Sequence, residues 1–259
     1  MKYISLFFIL LISCSLLAQS EEKNGIIISK MELFVADNLG EGHMALDNPY
    51  FSNYQELIRT LATKQAHGTS DARFLKQIFY SVHKKILGTY EQYVTFDALF
   101  QNEQKYDCVT GTALYALILD HFGFDYDIHE TDYHVYLVAY AQEKRFLFEA
   151  TDPIYGFSSN SDEIDQRMNL VNLKSETIIK DYLKGIGSED EALQNIKIID
   201  NIVTLSQLSG LHYYNQGLKY FNKGNYKKAF QMSIKAQGIY PSQRIKNASS
   251  FIFSMAFED

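Results

Sequence analysis

Asp107-Cys108-Val109-Thr110-Gly111-Thr112-Ala113-Leu114-Tyr115-Ala116-Leu117-Ile118-Leu119-Asp120-His121-Phe122-Gly123 is the stretch on which the fold turns. Asp107 is a residue type that caps helix starts, and Gly123 one that ends them in the left-handed conformation. Between them Ala113, Leu114, Leu117, Ile118 and His121 recur at the helical period. The spacing predicts a mostly buried helix with Cys108 in its first turn. Upstream, Tyr54, Leu57, Ile58 and Leu61 predict a helix from Asn53 to about Ala66. Phe74, Leu75, Ile78, Phe79 and Val82 predict another from Asp71 to about Leu87, capped by Ser70 or Asp71 and stopped by Gly88. Residues 26–50 read as a short element followed by loops around Gly40, Gly42 and Pro49.

Downstream of Gly123 the period changes from helical to extended. Tyr126 to Glu130 reads as a short strand, and His134 to Tyr140 and Arg145 to Ala150 as two more, rich in β-branched and aromatic residues. Ala141-Gln142-Glu143-Lys144 is the hairpin loop between the last two, and Asp152-Pro153 ends the second, since proline donates nothing to a ladder. Residues 156–200 read as loop followed by helical segments, with Ser158 to Asp165 exposed. The fold class is therefore α+β: a helix bearing Cys108, packed on an antiparallel sheet.

The chain's start reads as an export signal. Lys2 gives a positive end, Ile4 to Ile12 is apolar but too short to span a membrane, and cleavage after Ala18 leaves residues 19–25 as a disordered lead-in. Leu11-Ile12-Ser13-Cys14 supports a second processing route, a lipoprotein anchored at Cys14. Either route places the mature protein outside the bacterial cytoplasm, periplasmic or secreted. Cys108 is then the lone cysteine of the body, in a setting that oxidises thiols. Such a thiol is either buried and inert or chemically employed.

Its surroundings point to employment. A thiol attacks carbonyls as thiolate, and a free thiol near pKa 8.5 needs help to ionise at neutral pH. A helix N-terminus favours nearby negative charge, and the Cys108 backbone amide can hold an oxyanion. Asn102 and Gln104 are candidates for a side-chain oxyanion donor. An imidazole must take the thiol proton, and a third group must fix its tautomer. If the hairpin centres on Glu143, His134 and Asp152 lie directly opposite, with Cβ atoms about 4.5–5.5 Å apart. This depends on register, because a slip of one residue changes the face. His129 is an alternative base, without an evident opposed carboxylate.

A Cys opening a helix, a His opening a strand about 26 residues later and an Asp-Pro ending the next strand resemble the transglutaminase-like core, a papain-like arrangement. The matching stretch runs from about Tyr106 to Phe157, and the fold it implies extends over residues 26–185. The resemblance implies Cys108 as nucleophile, His134 as base and Asp152 as orienter, with acyl transfer through a thioester: hydrolysis, deamidation or transamidation of a protein or peptide amide. Val109 stands where the family often has an aromatic beside its Cys, and Tyr136 where the strand usually carries Trp. The last part, residues 186–259, is expected to be helical. Tyr213, Gly217, Tyr220, Gly224, Tyr226, Ala229, Ala236 and Pro241 resemble one tetratricopeptide repeat, a helix-turn-helix unit. One repeat cannot bury its face alone, so it must pack on the helix from Arg244 to Met255 and on the preceding domain. It serves as a buttress or as a groove for a protein partner.

A net charge of -7 with 24 Lys and Arg gives no basic stripe for nucleic acid or an anionic membrane. No apolar run beyond the signal is long enough to span. Seven scattered His and one body Cys offer no short-spaced zinc ligands, and the expected chemistry needs no metal or cofactor. A catalytically silent fold, used with its helices for binding, is the rival expectation.

Overall fold

A computed structural model describes residues 30, 31, 33, 34, 49–185 and 199–257. The signal over residues 1–18, Cys14 and the lead-in 19–25 lie outside the described residues. Helices α1 (Pro49–Ala66) and α2 (Asp71–Lys85) come first, followed by a 3-10 turn over Phe96–Phe100 and α3 (Cys108–Phe122). Strands β1 (Asp125–Thr131), β2 (Val135–Ala141), β3 (Lys144–Phe148) and β4 (Phe157–Ser158) follow, then α4 (Ser161–Gly185). Strand β5 (Asp200–Val203) precedes α5 (Leu205–Asn222), α6 (Tyr226–Ile239) and α7 (Gln243–Phe257). The described residues are thus mixed α and β, with an antiparallel sheet ordered β4-β3-β2-β1-β5. Among the described residues no helix is long and apolar enough to cross a membrane.

Helix α3 forms the middle of the molecule. Every residue from Val109 to Leu119 is buried, so it has no solvent face to make it amphipathic. A helix apolar all round is stable only when enclosed. Here α2, β1, β2 and α5 enclose it. The Tyr115 hydroxyl is buried with the ring and donates to the Phe79 carbonyl at 3.0 Å. Thr112 Oγ1 reaches the Val135 carbonyl of β2 at 3.5 Å.

Alternation along β2 explains why the sheet is covered on both faces. Val135, Leu137 and Ala139 join the core around α3, whereas Tyr136 and Val138 pack with Leu147 and Ile164 under α4. A strand buried on both sides reads as a continuous apolar run.

Two differences from the sequence reading matter for the site. The first is the hairpin register. Ala141 pairs with Lys144 and Leu137 with Phe148, so the turn is the two residues Gln142 and Glu143, both at positive φ (50° and 61°). The centre lies between these residues, not on Glu143. The second is β5, which falls inside the stretch expected to be helical and pairs with β1 through Ile128 and Val203. The sheet's edge strand therefore leads directly into the last helices.

Helices α5 and α6 form a helix-turn-helix. Gly224 makes the turn at φ +73°, and Ala229 and Ala236 are fully buried. A Cβ placed on Gly210 would stand 2.6 Å from the Cβ of Tyr240, so the helices approach through a missing side chain. Leu208 and Leu211 of α5 join the core around α3. The helical end is packed onto the sheet part through one continuous core.

Candidate active site

Cys108 is the first residue of α3, and its position is set by Asp107. The Asp107 carboxylate accepts from the Thr110 amide at 2.8 Å, while the Thr110 hydroxyl accepts from the Asp107 amide at 2.9 Å. This reciprocal cap fixes the first turn. Burial pushes the Asp107 carboxyl above its usual range, opposed by the Thr110 hydrogen bonds. The sulfur is thereby held beside the positive end of a long buried helix.

His134 comes to that end from the turn joining β1 to β2. Its amide donates to Thr131 Oγ1 at 3.1 Å, and the Thr131 amide donates back to the His134 carbonyl at 2.8 Å. The ring's Nε2 lies 2.6 Å from Glu149 Oε2, and Cys108 lines the same cleft and acts on the ring's charge. With Nε2 engaged by the carboxylate, Nδ1 is the nitrogen left for sulfur. Burial disfavours charge on the ring, but the hydrogen bonds and charges of Cys108 and Glu149 outweigh it and lift His134 to about 10. Burial likewise pushes the Glu149 carboxyl up, yet the imidazole and the Thr151 amide and hydroxyl hold it below the usual range. Glu149 is fixed at both oxygens, since Oε1 accepts from the Thr151 amide at 2.8 Å and hydroxyl at 2.6 Å.

The carboxylate on His134 is therefore Glu149 and not Asp152. Asp152 Oδ1 accepts from the amides of Ile154 and Tyr155 at 3.1 and 2.8 Å, which makes it the anchor of the Asp-Pro turn. The observed register accounts for the exchange. Extended past the ladder's end, it sets residue 151 opposite His134, with Glu149 diagonal to it on the same face. A diagonal neighbour remains within reach of a long side chain. A one-residue slip carries Asp152 to the other face.

The turn that presents Glu149 is tight. The Glu149 amide donates to the Gly156 carbonyl and the Gly156 amide to the Asp152 carbonyl, at 2.8 and 2.9 Å. A Cβ on Gly156 would stand 2.2 Å from one carbonyl oxygen of this turn and 2.3 Å from another. Gly156→Ala is expected to cost about 3 kcal/mol, as overpacking does when backbone must move. Urea unfolding at pH 7 measures it; a loss under about 1 kcal/mol would show that the turn has room.

The other expected residues lie elsewhere. Asn102 accepts a hydrogen bond from the Tyr50 hydroxyl, and Gln104 donates to the Lys85 carbonyl at 2.7 Å. Both are occupied as loop braces, and neither lines the cleft at Cys108. His129 stacks on Tyr136, ring centroids 5.0 Å apart, and is not at the thiol. The cleft has a volume of about 450 Å³. Cys108 and His134 meet there with Tyr90, Gln92, Tyr93 and Tyr133; the wall contributed by α5 and α7 carries Leu211, Tyr214, Leu218 and Arg244.

Tyr90 and Gln92 line the cleft beside Cys108, and sequence reasoning missed them. Burial, then the charges of Cys108 and Asp107, push the Tyr90 hydroxyl up to about 12, so it keeps its proton. The loop carries strain as well: Tyr93 sits at φ 60°, a conformation that bulky residues rarely adopt outside functional or over-determined sites. No periodic pattern marks these residues, because packing brings the loop to the helix start.

Among the described residues, no group of three or more His, Cys, Asp and Glu is gathered for a metal. Set beside protein-family models, curated proteins and solved structures, the chain matches none of them.

Proposed function

We propose that the protein is an exported cysteine hydrolase or amidotransferase on a transglutaminase-like, papain-like core, acting on protein or peptide amides through a thioester. The observation that carries this reading is His134, shared between Cys108 at the start of a buried helix and a carboxylate held at both oxygens. The Cys108 sulfur, its proton passed to His134, attacks the amide carbonyl carbon and forms a C–S bond. The Cys108 amide, Tyr90 and Gln92 are the donors at hand for the oxyanion. His134 returns the proton to the departing nitrogen as the C–N bond breaks, leaving a thioester. Water or an amine, deprotonated by His134, then displaces the sulfur. Glu149 orients the ring and balances its charge throughout.

Four tyrosines around the thiol suit a peptide segment, since phenol rings offer both apolar faces and hydroxyls. The helix-turn-helix, read as tetratricopeptide-like, supplies one wall of that cleft. On α7 Phe251, Phe253 and Phe257 are 57%, 43% and 52% exposed, which favours a second reading: a silent fold that engages a protein partner through its helices.

Iodoacetamide labelling of Cys108 across pH separates the two readings. The enzyme reading expects rapid labelling at pH 6, well below the free-thiol pKa near 8.5, and a slowing of about tenfold or more in His134→Ala. Slow labelling indifferent to His134 would favour the silent fold.

A further inference from the structure

The last helix holds more than the end of the fold. Glu130, at the end of β1, is 1% exposed. Its Oε1 pairs with Arg244 Nη2 from α7, and its Oε2 accepts from the Tyr240 hydroxyl at 2.6 Å. A carboxylate so enclosed persists only with its partners in place. The same guanidinium extends a second nitrogen to the backbone: Nη1 donates to the Asp132 carbonyl at 2.8 Å, with the Thr131 carbonyl at 3.5 Å.

These carbonyls belong to the turn that carries His134. Thr131 brackets His134 on both sides, its hydroxyl accepting from the His134 amide and donating to the His134 carbonyl at 3.0 Å. From α7 to the imidazole the connection is therefore continuous: guanidinium, turn backbone, Thr131, His134. Arg244 also lines the cleft and lies over the Tyr214 ring at 5.4 Å, which limits its own freedom.

We infer that Arg244 is a positioning residue of the thiol site, gripping the 131–134 turn so that the His134 ring meets Cys108. The inference rests on the thiol reading above. Geometry favours arginine in this role: one end of a planar fork takes the carboxylate while the other takes a carbonyl, so the turn is fixed relative to β1. A lysine ammonium can pair with Glu130 but cannot hold both in one plane.

A general brace between helices and core is the competing account, and the same helix supplies its control. Ser249 of α7 is 3% exposed, donates to the Ser233 carbonyl of α6 at 3.2 Å and does not line the cleft. The experiment follows iodoacetamide labelling of Cys108 from pH 5 to 10 in the full chain. Its variants are Arg244→Lys, Ser249→Ala and the double change Arg244→Met with Glu130→Gln. The double change leaves no lone buried charge and guards against misfolding, and circular dichroism checks each variant.

Labelling at pH 6 is expected to fall about tenfold or more in Arg244→Lys and in the double variant, with the rate recovering only toward the free-thiol range. Ser249→Ala is expected to keep the wild-type profile. Folded Arg244 variants within twofold of wild type at pH 6 overturn the inference and leave the thiol reading standing. So does a Ser249→Ala profile displaced as far as theirs, which would mark general loosening. A wild type that labels slowly at pH 6 removes the thiol reading, and this inference with it.

Discussion

Glu149→Gln is expected to slow the labelling of Cys108 at pH 6 by on the order of 100-fold, while Asp152→Asn leaves it within about twofold. Glutamine keeps the shape of Glu149 but not its charge, and an imidazolium buried beside sulfur loses the anion that stabilises it. His134, now lifted to about 10, then returns toward its ordinary value. The sulfur no longer faces a ring cation at neutral pH. Asp152 makes a different demand. Its Oδ1 serves two backbone amides, and asparagine offers the same oxygen in the same place. The two substitutions thus report the hairpin register in solution. A large effect at 152 with none at 149 would mean that the strands pair one residue away from the arrangement described here, and the proposed chemistry would need a different carboxylate.

Acidification is expected to unfold the protein well before its surface charge alone requires it. His212 on α5 is 2% exposed, packs against Phe34 and Tyr213, and its Nδ1 has no partner among the described residues. Burial, assisted by the charges of Lys235 and Lys219, pushes it down to about 3. An unfolded histidine takes its proton near 6.5, whereas the folded one refuses it until about 3. The stability it contributes is therefore present above 6.5 and lost as pH falls from 6.5 toward 3, a loss on the order of 4 kcal/mol. His83, pushed down to about 4 by burial against the opposing charges of Asp152 and Glu149, adds in the same direction. Asp107 works the other way, since acid relieves its buried charge. Between pH 7 and pH 4 the melting temperature should fall by about 10 °C, and His212→Leu should recover much of that fall. Parallel melting curves for wild type and variant across that range would exclude His212 as the source.

The sequence was most legible where local rules and burial agree. Asp107 and Gly123 bound α3 as their residue types require, and the glycine has φ +76°. Phe74, Leu75, Ile78, Phe79 and Val82 are all buried on α2, as their spacing foretold. The thiol and the imidazole could be paired because Cys108 opens a helix and His134 immediately precedes a strand. The carboxylate could not. A two-residue turn with both residues at positive φ usually announces itself with Asn or Gly, and Gln142-Glu143 carries no such sign. The centre was placed half a residue late, which shifts every pair by one residue, and since side chains alternate, that exchanged Glu149 for Asp152. Strand β5 escaped for another reason: its four residues form one edge, with Ile202 63% exposed, and short edges lack a pattern to read. Tyr90 and Gln92 depend on long-range packing, including the Gln216 hydrogen bonds from α5, that no local spacing encodes.

The enclosure of α3 has a consequence for how such a site could be regulated. A rod gripped on all sides opens only when the whole domain does, so the end that carries Cys108 is a fixed anvil. Any tuning by ligand, partner or pH must act on what faces the anvil: the tyrosine-bearing loop, the histidine turn and the helices behind them. Whatever changes the rate should first show itself as motion in those borders, with the sulfur staying where it is.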